Sequence, residues 1–151
     1  MSVSTILFTI LAVFAGTLFP IQTAVNSKLA AGVGGPVLAT CISFAAGLMA
    51  LVVALLFSTR NLPNWDSLRH IPPWLFAAGG LLGATYLALN VFLVPRIGTG
   101  AMMGLAVAGQ MFSALTIDSV GLFGVAARDL SSGRILGAAM VAIGAIMVRF
   151  L

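Results

Sequence analysis

Long apolar runs, broken by short polar or glycine-rich connections, organise the whole sequence. Five runs approach the roughly 20 apolar residues that a helix needs to cross a hydrocarbon core about 30 Å thick. These spans are expected at about 3–30, 37–57, 74–94, 101–124 and 135–149. The first has no basic leading segment and no small-residue cleavage site, so it reads as a span and not as a removed signal peptide. At about 1.5 Å per residue it is longer than the core, and it is expected to tilt or to bend at Pro20. Gly32, Gly34, Gly35 and Pro36 predict a tight turn into the second span. The one substantial loop, 58–71, carries Arg60, Asp66, Arg69 and His70, with Trp65 and Trp74 placed as interfacial anchors. Pro72 and Pro73 suit the first turn of the third span. Pro95 is expected to end it, with Arg96, Gly98 and Gly100 forming the next turn. The fourth span leaves the apolar region between Leu122 and Ala127, and Arg128, Asp129, Ser131, Ser132 and Gly133 connect it to the fifth. The expected architecture is all-α: one five-span membrane domain with its termini on opposite sides.

Composition agrees with the pattern. Of the 151 residues, 61% are hydrophobic and only 7% are charged, and the mean hydropathy is +1.18. A soluble domain carries charge on roughly a quarter of its residues. The net charge of +4 comes from seven Lys+Arg against three acids. The basic residues stand singly in short connections, so they read as topology signals and not as a nucleic-acid surface. With side A as the side of the N-terminus, Arg60, Arg69, Arg128 and Arg134 fall on side A, and Lys28, Arg96 and Arg149 on side B. So even a split gives little orientation bias. It suits a chain that inserts both ways, and it also suits the poor counting statistics of a short chain. Cys41 lies in an apolar run and reads as a small hydrophobe.

Polar residues inside the spans carry the candidate chemistry. Side-chain amides and hydroxyls are costly in lipid, so they normally face the bundle or a cavity. Gln22 and Asn26 stand four apart in the first span, and Tyr86 and Asn90 four apart in the third. Gln110 lies near the middle of the fourth, followed by Ser113, Thr116 and Asp118. The expected substrate-binding set is Gln22, Asn26, Tyr86, Asn90, Gln110 and Ser113. The competing reading is interhelical hydrogen bonding that only holds the bundle together. Asp118 is the one acid that the span boundaries allow inside the hydrocarbon. It is a candidate proton- or cation-coupling group, or else an interfacial residue at a helix end. Lys28 reads as an interfacial side chain that reaches out to water. Gly79 and Gly83, Gly100 and Gly104, and Gly133 and Gly137 have GxxxG spacing, which suits close helix packing within a bundle or at a dimer seam. No catalytic triad, paired carboxylate, phosphate loop or metal-ligand cluster is present in the sequence, so neither an enzyme nor a cofactor or metal is expected.

Several stretches together resemble a known family. PIQTAVNSKLA at 20–30 follows a helix containing Gly16, and GGLLGATY at 79–86 precedes Asn90. GQMFSALTIDSVGLFG at 109–124 is followed by Arg128, Leu130, Ser131 and the run Arg134 to Gly137. These resemble the YdcZ-type family of small five-span bacterial inner-membrane proteins within the drug/metabolite transporter superfamily. The resemblance covers essentially the whole chain, and the pieces of the fourth span are its most specific part. It implies a multi-pass inner-membrane protein and a transporter built from two opposed five-span units. For a single-unit member it implies an antiparallel homodimer with dual topology. The related small multidrug resistance transporters use a glutamate in the first span. This sequence has no Glu, so their coupling chemistry does not carry over.

The expected function is therefore secondary transport or export of a small metabolite or cation by alternating access. The expected partners are the bilayer, a second copy and the transported solute, with no nucleic acid. A small dual-topology ion channel and a non-transporting membrane scaffold are the alternatives. Helix arithmetic adds one expectation. Gln22 lies roughly 8 Å toward side B of its span's midpoint, Asn26 roughly 14 Å, and Asp118 roughly 6–8 Å toward side A of its own. An inverted second copy would bring its Gln22 to the depth of Asp118.

Overall fold

A computed structural model describes residues 3–58 and 65–151. Arg60, with the rest of the 59–64 part of the loop, lies outside the described residues. The chain is all-α, without strands among the described residues. Its helices are α1 (Val3–Val33), α2 (Pro36–Leu56), the short α3 (Trp65–Arg69), α4 (Trp74–Ile97), α5 (Thr99–Val120) and α6 (Ser132–Phe150). All but α3 are long and apolar enough to cross a membrane. Large side chains stand open on these helices: Phe8 is 67% exposed, Leu82 72% and Phe112 74%. Apolar surface on that scale is unstable against water and stable against acyl chains.

The helix ends differ from the expected span ends for local reasons. α1 runs on to Val33 because Gly34 and Gly35, both at positive φ, make the turn. Their amides both donate to the Ala30 carbonyl, at 3.1 and 2.9 Å, and Pro36 opens α2. Pro95 does not end α4, which continues to Ile97. A proline so near the C-terminus removes only the bond its amide would have donated to Val91. The stop comes at Gly98, at φ 82°, whose amide still donates to Val94 at 2.9 Å. α5, the fourth span, ends at Val120, earlier than expected, and a short 3₁₀ turn at Leu122–Gly124 follows. α6 starts earlier than expected because Ser131 caps it: the Ser131 hydroxyl accepts from the Arg134 amide at 3.3 Å. Part of the expected 58–71 loop is helical, with Asp66 in the first turn of α3 and Arg69 in its last, as the helix dipole favours.

The chain forms two units, Met1–Phe92 and Leu93–Leu151. In the first, α1 and α2 pack as a hairpin. Its buried residues are Thr23, Asn26, Ala39, Thr40, Leu87, Asn90 and Val91. All of them lie toward the side-B ends of their helices, and residues 4–18 of α1 are exposed throughout. In the second unit α5 packs on α6. A Cβ built on Gly104 would come within 3.3 Å of both Cα and Cβ of Ala145, and one on Gly100 within 3.7 Å of Val148. This glycine pair is thus an intrachain seam. A Cβ built on Gly83 would come within 3.5 Å of the Phe44 ring, whereas one on Gly79, Gly133 or Gly137 would meet open space.

Several hydroxyls in the spans bond their own helix. Thr23 donates to the Phe19 carbonyl at 2.9 Å, Ser27 to Thr23 at 2.9 Å, Thr40 to Pro36 at 2.8 Å and Thr116 to Phe112 at 2.9 Å. In an apolar medium this satisfies a hydroxyl without a neighbouring helix.

Candidate functional site

The first unit gathers its polar side chains where it is best packed. Phe19 on α1 and Tyr86 on α4 are in ring contact, with centroids 5.2 Å apart. Four residues on from each, toward side B, stand Thr23 and Asn90, both 0% exposed. Asn26 follows on α1, one turn of helix further, at 2% exposed. Its Oδ1 accepts a hydrogen bond from the Ser43 hydroxyl on α2. Asn90 donates from Nδ2 to the Tyr86 carbonyl at 2.7 Å. One atom of each amide is left over: Asn26 Nδ2 and Asn90 Oδ1 are buried and make no hydrogen bond. Buried polar groups are paired in the great majority of cases, because an unpaired one carries its full desolvation cost. The two orphaned atoms, one a donor on α1 and one an acceptor on α4, both lie in the packed side-B part of the first unit.

Gln22 does not share this environment. It is exposed and lines a groove of about 350 Å³ together with Ser43, Phe44, Gly47, Leu48 and Leu51. Spacing of four places Gln22 near Asn26 on the helix. The buried stripe, however, is centred between Thr23 and Asn26, and at about 100° per residue Gln22 falls on its edge. Ser43 belongs to both places: it lines the groove and it donates to Asn26. The sequence reading passed over Ser43. The signal was present, since Thr40 and Ser43 stand three apart on an otherwise apolar helix. Tyr86 is half-buried, and Lys28 is exposed near the end of α1.

In the second unit Gln110 and Ser113 are both exposed on α5. Asp118 lies two residues before the end of that helix and is ion-paired with Arg134 on α6. The pair is half-buried, at 26% and 33% side-chain exposure for the acid and the base. Around it the Arg128 amide donates to the Asp118 carbonyl at 2.8 Å, and Arg134 donates to the Asp129 carbonyl at 3.4 Å. Asp118 therefore fastens the α5–α6 connection, at a helix end. A separate, mostly apolar cavity of about 390 Å³ lies between these helices, lined by residues such as Phe112, Leu115, Ile135 and Ala139. No group of three His, Cys, Asp or Glu able to hold a metal ion occurs among the described residues.

A family model matches residues 7–147, nearly the whole chain; its description reads "Putative inner membrane exporter, YdcZ". No curated protein and no solved structure matches the chain.

Proposed function

Because the chain belongs to the YdcZ inner-membrane family, we propose that it is a secondary transporter that exports a small metabolite or cation by alternating access. In this reading two copies, inserted in opposite senses, form the working unit. Opposed five-helix repeats that open a shared site to each side of the membrane in turn are a common physical basis for alternating access. The observation that carries the reading is the pair of buried, half-satisfied amides Asn26 and Asn90. A bundle held together only by its own hydrogen bonds would use both ends of each amide. Substrate would be recognised by Asn26 and Asn90, with Tyr86 beside them on α4. Gln22, Gln110 and Ser113, exposed on a single chain, would meet the second copy or the moving solute. Asp118 would couple transport only if Arg134 released it during the cycle.

Flux and topology test this together. Purified protein in proteoliposomes should give saturable, protein-dependent flux at carrier rates for at least one solute of a broad panel. Single-file ion currents at rates beyond any carrier would favour a channel, and no flux for any solute would favour a scaffold. Ser132→Cys and Leu151→Cys, each introduced without Cys41, leave every basic residue in place. Each should be labelled from both sides of the membrane. Labelling from one side only would rule out dual insertion.

A further inference from the structure

We propose that the groove between α5 and α6 is a binding site for one acyl chain of a membrane phospholipid drawn from the side-A leaflet. The inference does not depend on the transporter reading. It begins from the way the two helices part. Toward side B they meet closely, since a Cβ on Gly104 would stand 3.3 Å from Ala145. Toward side A they diverge around a cavity of about 390 Å³, lined by Ala108, Leu115 and Ser119 from α5 and by Ile135, Ala138 and Ala142 from α6. Beyond the cavity the Asp118–Arg134 ion pair bridges the same two helices. An arginine reaching across to a carboxylate holds two backbones further apart than a glycine against an alanine. Alanines that would close a tight interface therefore leave a void where a long side chain sets the spacing.

Depth, width and lining name the occupant. With α5 at Thr99–Val120 and α6 at Ser132–Phe150, Ala108 and Ala142 lie near the helix midpoints, and Ser119 and Ile135 near the side-A ends. From Ala108 to Ser119 is about 16 Å of helix, close to half of a hydrocarbon core about 30 Å thick. The groove is thus about one leaflet deep, and it stops near the midplane, where the seam takes over. A volume of about 390 Å³ spread over about 16 Å gives a mean width of about 5–6 Å. A helix of a second copy, about 10–12 Å across with its side chains, is too broad for it. A polymethylene chain, about 4–5 Å thick at carbon contact distances, fits. The lining offers a polar guest little. Both of its hydroxyls are spent on their own helix, Thr116 donating to the Phe112 carbonyl at 2.9 Å and Ser119 to the Thr116 carbonyl at 2.9 Å. An apolar cavity of this kind stays dry, and left empty it forfeits dispersion contacts along its walls. Phe112 and Ile135 in its wall are 74% and 53% exposed, so its flank is open to the surrounding lipid.

The test fills the groove by mutation and asks whether lipid is then excluded. Protein purified in a rigid steroid detergent, which has no flexible chain of its own, is heated with dipalmitoylphosphatidylcholine over a concentration series. A ligand of the folded state raises the melting temperature with its concentration. The rise should saturate, and native mass spectrometry should find one phospholipid retained per chain. Glycerophosphocholine, the same headgroup without acyl chains, should give neither result. Ala108→Leu and Ala142→Leu fill the groove from opposite walls, so one remains informative if the other does not fold. Each should weaken the protection by lipid about tenfold or more, because the added carbons occupy the room of the chain. Without lipid each should melt no lower than the unaltered protein, since it fills a void. Gly137→Leu adds the same bulk on α6 outside the lining, where a Cβ meets open space; it should leave protection and retention unchanged. Equal protection of the unaltered protein and both filled variants would mean that lipid acts only as a general solvent, and would overturn the inference. No retained lipid, with a dimer of the unaltered protein that Ala142→Leu dissociates, would make the groove the seat of a second copy and would overturn it as well.

Discussion

Gly104 offers the most quantitative handle on the second unit. A Cβ at this position would stand 3.3 Å from the Ala145 Cα and 3.3 Å from its Cβ. Non-bonded carbons prefer about 3.5–4.0 Å, so α5 and α6 would have to part by a few tenths of an ångström. Gly109 lies on the same helix with nothing within 4 Å of its would-be Cβ. Alanine gains about 1 kcal/mol of helix propensity over glycine at either site. The difference between the two substitutions therefore isolates the seam. Gly109→Ala should stabilise the protein by up to about 1 kcal/mol, and Gly104→Ala should forfeit most of that gain. Gly104→Leu pushes three further carbons into the seam and should fall about 1–3 kcal/mol below Gly109→Leu. Ala145→Gly should rescue Gly104→Ala only in part, because the contact with the Ala145 Cα remains. Reversible unfolding in mixed micelles, followed as the denaturing detergent fraction rises, measures each difference. Equal destabilisation by leucine at 104 and at 109 would refute the seam.

Three other expectations follow from the same coordinates. Ser131→Ala should cost about 1 kcal/mol through loss of the α6 cap, whereas Ser132→Ala should be near neutral; the same micellar unfolding compares them. A double-mutant cycle over Asp118→Asn and Arg134→Gln should give a coupling of about 0.5–1 kcal/mol for a partly exposed pair, shrinking in high salt; zero coupling would deny the pair a fastening role. In membranes holding two differently tagged chains without Cys41, Gln22→Cys on one and Asp118→Cys on the other should form a disulfide, as equal depth in opposed copies allows. Failure to cross-link under oxidant, with both thiols reactive to a membrane-permeant probe, would count against that dimer.

Much of the fold was legible because hydrophobic run length is a direct reading of bilayer thickness. All five spans and the Gly34–Gly35 turn were visible in this way. The ends were less so, since they depend on single backbone groups. Pro95 looks like a stop in sequence, yet costs one bond near an end that Gly98 supplies. Ser131 sets the start of α6 through one hydroxyl. Within the site, the residue types of Asn26 and Asn90 announced themselves, but their unequal use of donor and acceptor did not. That inequality depends on Ser43 and on the Tyr86 carbonyl, which spacing alone does not pair with them. The split between Gln22 and Asn26 was invisible for a similar reason. A four-residue interval fixes proximity on one helix, not which side of a buried stripe each residue takes.

The length of α1 has a consequence for the lipid around it. Its 31 residues extend about 46 Å, against roughly 30 Å of average hydrocarbon. A straight helix of that length would have to lean by about 50° to be wholly immersed, beyond the usual range of about 0–40°. Some of it must therefore be taken up otherwise: by a bend where Pro20 leaves the Gly16 carbonyl unbonded, by a few residues lying among the headgroups, or by locally thickened lipid. Each of these shifts with acyl-chain length at a cost of fractions of a kcal/mol per ångström. The groove beside Gln22 and the ring contact at Phe19 both lie within one turn of Pro20. Bilayer thickness thus acts on the helix next to the polar cluster, and short-chain and long-chain lipids should not leave that cluster in the same shape.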